Sequence, residues 1–184
     1  MNLHIYEPKS ASINKFVDFW SERYQYKHEK LYTDNIGKSF TESRVIELFI
    51  WKNGTRLSDR KNISVRTNYI DRIDELKEFT QNFEAGEFLN RFSKGGAIWR
   101  IFWLHCFRPE EFPIYDQHVH RAMIFIKSGK VEEIPSNDPK KVVEYINHYL
   151  PFYSTFAGLD KRKLDKALWS FGKFIKENNF PMIQ

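Results

Sequence analysis

At 184 residues, with 41% hydrophobic and 17% aromatic side chains, the chain can bury a substantial core as one domain, or as two small lobes sharing a core. Its 29 basic and 24 acidic residues give a net charge of +5, with the excess in the C-terminal half, which suits a polyanion and ordinary solubility alike. The single cysteine, Cys106, excludes an internal disulfide and a four-cysteine cluster or zinc site. With no leader pattern and no apolar run near about 18 residues, a soluble cytoplasmic protein without a cofactor is expected.

The periodicity is helical nearly throughout. Ile13, Phe16, Val17, Phe19 and Trp20 predict a first helix from Ser12 to Tyr24. Ser39 and Glu42 read as a capping box ahead of Val45, Ile46, Leu48, Phe49 and Ile50, and Asn53-Gly54 closes that helix. The corner Trp51-Lys52-Asn53-Gly54, followed by Ser58 as the next N-cap, is distinctive and carries no recognised catalytic motif. Ile70, Ile73, Leu76 and Phe79 step by threes along a further helix, and a shorter one spans Glu84 to Phe92 before Gly95-Gly96.

The segment Ala97 to Phe107 is apolar on nearly every side, as befits the centre of a bundle. Arg108 to Pro113 breaks it, and Asp116 opens a helix running to about Lys127. Only Lys130 to Ile134 reads as extended. Asp138 before Pro139 predicts an N-cap and first position for a helix reaching Leu150. The last helix carries the stripe Leu164, Leu168, Phe171 and Ile175. With no repeat or low-complexity stretch, the expected architecture is all-α, a single compact helical domain.

Phe112-Pro113-Ile114-Tyr115-Asp116-Gln117-His118-Val119-His120-Arg121 is the most informative stretch. Its pattern Pro-Ile-x-Asp-x-His-Val-x-Arg resembles the segment carrying the catalytic aspartate in the helix-hairpin-helix DNA glycosylases, the endonuclease III superfamily. Lys94-Gly95-Gly96-Ala97, the buried helix and the proline loop precede Asp116 in the family's order. Ala167-Leu168-Trp169-Ser170-Phe171-Gly172-Lys173-Phe174-Ile175 is similar to the family's late helix, with Lys176 where cluster-bearing members have a cysteine. The resemblance covers about residues 92 to 178.

It implies a two-lobed helical bundle that binds double-stranded DNA, with Asp116 as the catalytic carboxylate. The family hairpin, usually Leu-Pro-Gly-Val-Gly, is here Phe92-Ser93-Lys94-Gly95-Gly96, and the Schiff-base lysine position near Ala97 or Ile98 holds no lysine. The resemblance therefore implies a monofunctional N-glycosylase that removes a base by hydrolysis. The alternative is a catalytically inactive glycosylase-fold module for nucleic-acid or protein interaction; a helical bundle without any nucleic-acid role is the third reading.

An ionised carboxylate beside the sugar stabilises the positive charge that grows as an N-glycosidic bond breaks. A flipped base needs an aromatic or apolar pocket, for which Trp51, Trp99 and Trp103 are candidates. His118 and Arg121 match family positions, as support for the helix start and as a partner for carboxylate or phosphate. Lys94, Gly95, Gly96, Lys161, Arg162 and Lys163 are the candidate nucleic-acid contacts. Cations at the start of the last helix oppose its dipole, which an external anion, or Asp160 and Asp165, would offset. Asp116 also has a plain role as a helix cap, Cys106 reads as core, and His118 and His120, two apart on a helix, do not readily share a metal ion.

Overall fold

A computed structural model describes residues 12–178, and the described residues are helical with no strand. The helices are α1 (Ile13–Ser21), α2 (Glu29–Thr33), α3 (Glu42–Asn53), α4 (Asp59–Asn68), α5 (Ala85–Arg91), α6 (Ala97–Phe107), α7 (Gln117–Ser128), α8 (Asp138–Glu144), α9 (Leu150–Ser154) and α10 (Lys161–Glu177). The step-by-three segment is a 3₁₀ helix, Ile70–Glu78, and a π-helical turn, Tyr145–Tyr149, runs α8 on into α9.

Local chemistry sets most of the ends. Gly54, at φ 75°, closes α3 in the left-handed region, and Ser58 accepts from the Lys61 amide to start α4. Two caps differ from the sequence reading. Thr41, rather than Ser39, accepts from the Arg44 amide, while Ser39 receives the Arg44 guanidinium. Asn137 caps α8 through the Lys140 amide, which moves Asp138 to the first turn. The first helix ends at Ser21 rather than Tyr24, and Lys130 to Ile134 forms no strand.

The apolar helix α6 is the hub. Ile101, Phe102, Trp103 and Leu104 are wholly buried, against Phe49 of α3, Tyr69 and Phe92. Aromatic rings packed edge-on or tilted fill much of this interior, each adding to what its buried area already contributes. On the other side α10 packs along α7 and α1. Phe171 of α10 meets Phe16 and Trp20 of α1, while Ile13 and Phe19 stay about half exposed, so the α1 stripe is buried only in part.

Gly172 explains the close approach of α10 to α7. A Cβ at that position would lie 1.9 Å from the His118 carbonyl oxygen, so no larger residue fits without the helices separating. Arg121 is fully buried beside the same crossing, donating to the Gly172 carbonyl at 3.1 Å and to both oxygens of Glu133 at 2.8 Å. This crossing fixes the start of α7, and Asp116 with it. No helix among the described residues is long and apolar enough to cross a membrane.

Candidate functional site

Four segments distant in sequence converge on the start of α7. The α1–α2 connection brings Tyr24 and Tyr26, the end of α3 brings Trp51 and Lys52, and α7 brings Asp116 and Val119. The face of α10 adds Arg162, Asp165 and Trp169. Arg162, Asp165 and Trp169 are spaced i, i+3, i+7, which places them on one side of that helix. The walls are aromatic: Trp169 lies 5.2 Å from Tyr24, 5.6 Å from Tyr26 and 5.1 Å from the His118 ring, centroid to centroid.

Asp116 has two jobs. Its Oδ1 accepts from the His118 amide at 2.8 Å and the Val119 amide at 3.2 Å, the geometry of an N-cap. Its Oδ2 faces the Lys52 ammonium at 3.4 Å, and its side chain keeps 21% of its surface exposed at the pocket. Burial pushes its pKa up, but Lys52, His118 and the two amides overcome that, so the net shift is downward and the group is a carboxylate at neutral pH.

Lys52 is only 6% exposed and also donates to the Tyr115 carbonyl at 3.2 Å. Its corner reads from sequence as a turn with no chemical role, yet it supplies the cation facing Asp116. A lysine therefore does stand at this site, from α3 rather than from the start of α6.

Arg162 closes one end of the pocket. It donates to Glu29 at 2.6 Å and lies 4.1 Å from the Tyr32 ring centroid. Trp51 also donates to Glu29. Asp165, 5% exposed, sits among these groups with no hydrogen-bond partner for its Oδ1. Burial pushes its pKa up to about 7 against the pull of Arg162, Tyr153 and Lys52. The pocket thus holds two carboxyl groups in opposite states, Asp116 ionised and Asp165 retaining its proton to about neutrality. The open volume between them is only about 30 Å³, room for a water or two rather than a flat ring.

The other candidates divide. Trp51 lines the pocket; Trp103 is wholly buried in the core, and Trp99 lies in a separate open groove with Gly95, Gly96, Arg60, Lys61 and Lys141. Lys94 stands exposed just before the two glycines, and its carbonyl accepts from Tyr69. His118 supports the helix start as its amide meets Asp116 and its ring meets Trp169. Arg121 is buried on Glu133 and has no surface to offer a phosphate.

The basic run on α10 is not a free patch. Lys161 donates to the Glu110 backbone carbonyl with that residue's carboxylate 4.0 Å away, Lys163 reaches the Asp18 carboxylate, and Arg162 with Lys166 holds Glu29. Those carboxylates, with Asp160 capping through the Lys163 amide, offset the unfavourable dipole; Asp165 points into the pocket instead. Cys106 is buried, its thiol pushed upward by burial. His105 bonds Tyr32 and the Phe112 carbonyl, and His120 bonds Tyr115. Among family models, curated proteins and solved structures, none matches the chain.

Proposed function

We propose that the chain is a DNA-binding N-glycosylase of the helix-hairpin-helix type, a two-lobed bundle that releases a base by hydrolysis with Asp116 as its catalytic carboxylate. The observation that carries the reading is the double use of Asp116: it caps α7 through one oxygen and presents the other, ionised, to an aromatic-walled pocket. An anion held there by fixed amides and Lys52 is already oriented toward positive charge developing on a sugar, so little reorganisation is needed. The aromatic walls offer stacking faces to a base turned out of its stack, once the water-sized pocket widens to admit it. The Gly95-Gly96 groove, with Arg60 and Lys61 on its rim, is the surface best suited to backbone phosphates.

Damaged and undamaged genomic DNA, incubated with the protein, would be assayed for free bases by mass spectrometry beside Asp116→Asn. Release that the variant loses is expected. Equal release by the variant would remove Asp116 from the chemistry.

The narrowness of the pocket favours a second reading, a DNA-binding module without turnover. In that case duplex binding falls with salt, Asp116→Asn leaves it unchanged, and no base appears.

A further inference from the structure

The pocket contains a carboxyl group that the Asp116 chemistry does not use. Asp165 is all but buried, at 5% exposure, and nevertheless lines the same cavity as Asp116. Among the described residues its Oδ1 has no partner, although Tyr153 hydrogen-bonds the carboxyl group. Buried polar atoms are almost always satisfied, so a buried carboxyl group with an orphan oxygen, on a residue that lines a water-sized void, is not accounted for by packing alone. The groups acting on it from α10, α3, the start of α7 and α9 are Arg162, Lys52, Asp116 and Tyr153. Tyr32, Tyr145 and Tyr149 also feel its charge.

We propose that Asp165 is a second catalytic residue, the general acid that protonates the departing base while Asp116 stabilises the sugar. This role rests on the N-glycosylase reading of the Asp116 pocket. It narrows the substrate class to a base that leaves only once protonated, rather than one already cationic by alkylation, which needs no acid.

The C1′–N electron pair leaves with the base, whose nitrogen takes the Asp165 proton. A water oxygen bonds to C1′ and gives one proton to Asp116. Solvent then reprotonates Asp165 and deprotonates Asp116, leaving free base and a C1′ hydroxyl. Burial suits the division of labour, because it keeps Asp165 protonated to about pH 7 while Lys52 and the α7 amides keep Asp116 ionised.

The test compares single-turnover base release by wild type, Asp165→Asn and Asp116→Asn from pH 5 to 9, on a neutral-base substrate and on DNA carrying a methylated, cationic purine. For wild type the neutral-base rate should fall above about pH 7. Asp165→Asn should lose about 10²-fold or more at pH 6 on the neutral base, lose the alkaline fall, and keep most of its rate on the cationic base. Asp116→Asn should lose both substrates.

An unchanged profile in Asp165→Asn, or equal losses on both bases, would overturn the acid role and leave the glycosylase reading intact. No release by wild type from either substrate would overturn both. Should Asp165→Asn fail to fold, carbon-13 NMR of aspartate-labelled wild type decides instead: a carboxyl titrating near 7 is expected, and its absence would overturn the assignment.

Discussion

Two neighbouring carboxyls behave oppositely because their partners differ. Asp116 has two amides and an ammonium; Asp165 is deeper, with one oxygen unpartnered. Stability should register this. The folded pKa of Asp165 lies above its ordinary 3.8, at about 7. Its contribution is therefore fully present below about pH 4 and is lost as pH rises through about 7, a change of about 4 kcal/mol at most. Asp165→Asn removes that dependence, so its urea midpoint should gain on wild type between pH 5 and pH 8; parallel curves would mean that Asp165 is ionised throughout. Asp116 works the other way: its depressed pKa gives stability above the ordinary value that is lost on acidification. Lys52 yields a sharper prediction. Its nitrogen is engaged by the Asp116 carboxylate and the Tyr115 carbonyl, which assigns it to holding Asp116 rather than to attack on C1′. Borohydride added during turnover should trap no protein–DNA adduct, and an adduct that disappears in Lys52→Gln would replace hydrolysis with imine chemistry.

Among the elements, the α7–α10 crossing governs the site. Gly172→Ala forces a methyl group into the His118 carbonyl, which is backbone and cannot rotate away. Overpacking costs about 1–3 kcal/mol, and here it also pushes the start of α7 from α10. The melting temperature should drop, and base release should drop further than stability alone explains, since Asp116, Arg162 and Asp165 span that crossing. A variant that melts normally would show that the helices have room to part. These helices are readable in the sequence because their signals are local: the α6 apolar run, the Asn53-Gly54 stop and the Asp116 cap all work within a turn or two. The site is hidden there because Tyr24, Lys52 and Asp165 meet only through tertiary packing. One clue is local, the i, i+3, i+7 spacing of Arg162, Asp165 and Trp169, which sets an acid on the inward side of a helix. The 3₁₀ character of Ile70–Glu78 is likewise foreshadowed by its step of three.

For the whole molecule, net charge is a poor guide to where a polyanion would lie. In the most conspicuous basic cluster Arg162 is paired with Glu29 and Lys163 with Asp18, with Lys161 more loosely placed 4.0 Å from Glu110, and a cation already paired releases little on meeting a phosphate. Around the Gly95-Gly96 groove the balance differs. Lys141 is paired with Asp138, whereas among the described residues Lys61 bonds the neutral Asn53 side chain alone and lies 5.9 Å from the Trp99 ring centroid, and Arg60 is exposed beside it. Cations held by neutral partners keep their full charge for an external anion. The Arg60→Glu/Lys61→Glu double variant should therefore weaken duplex binding and reduce the slope of log affinity against log salt by about 0.9 for each phosphate it no longer neutralises. Lys161→Ala/Lys163→Ala should leave that slope nearly unchanged. Fluorescence anisotropy over a salt series measures both, and the reverse ranking would transfer the DNA-binding face from the groove to the start of α10.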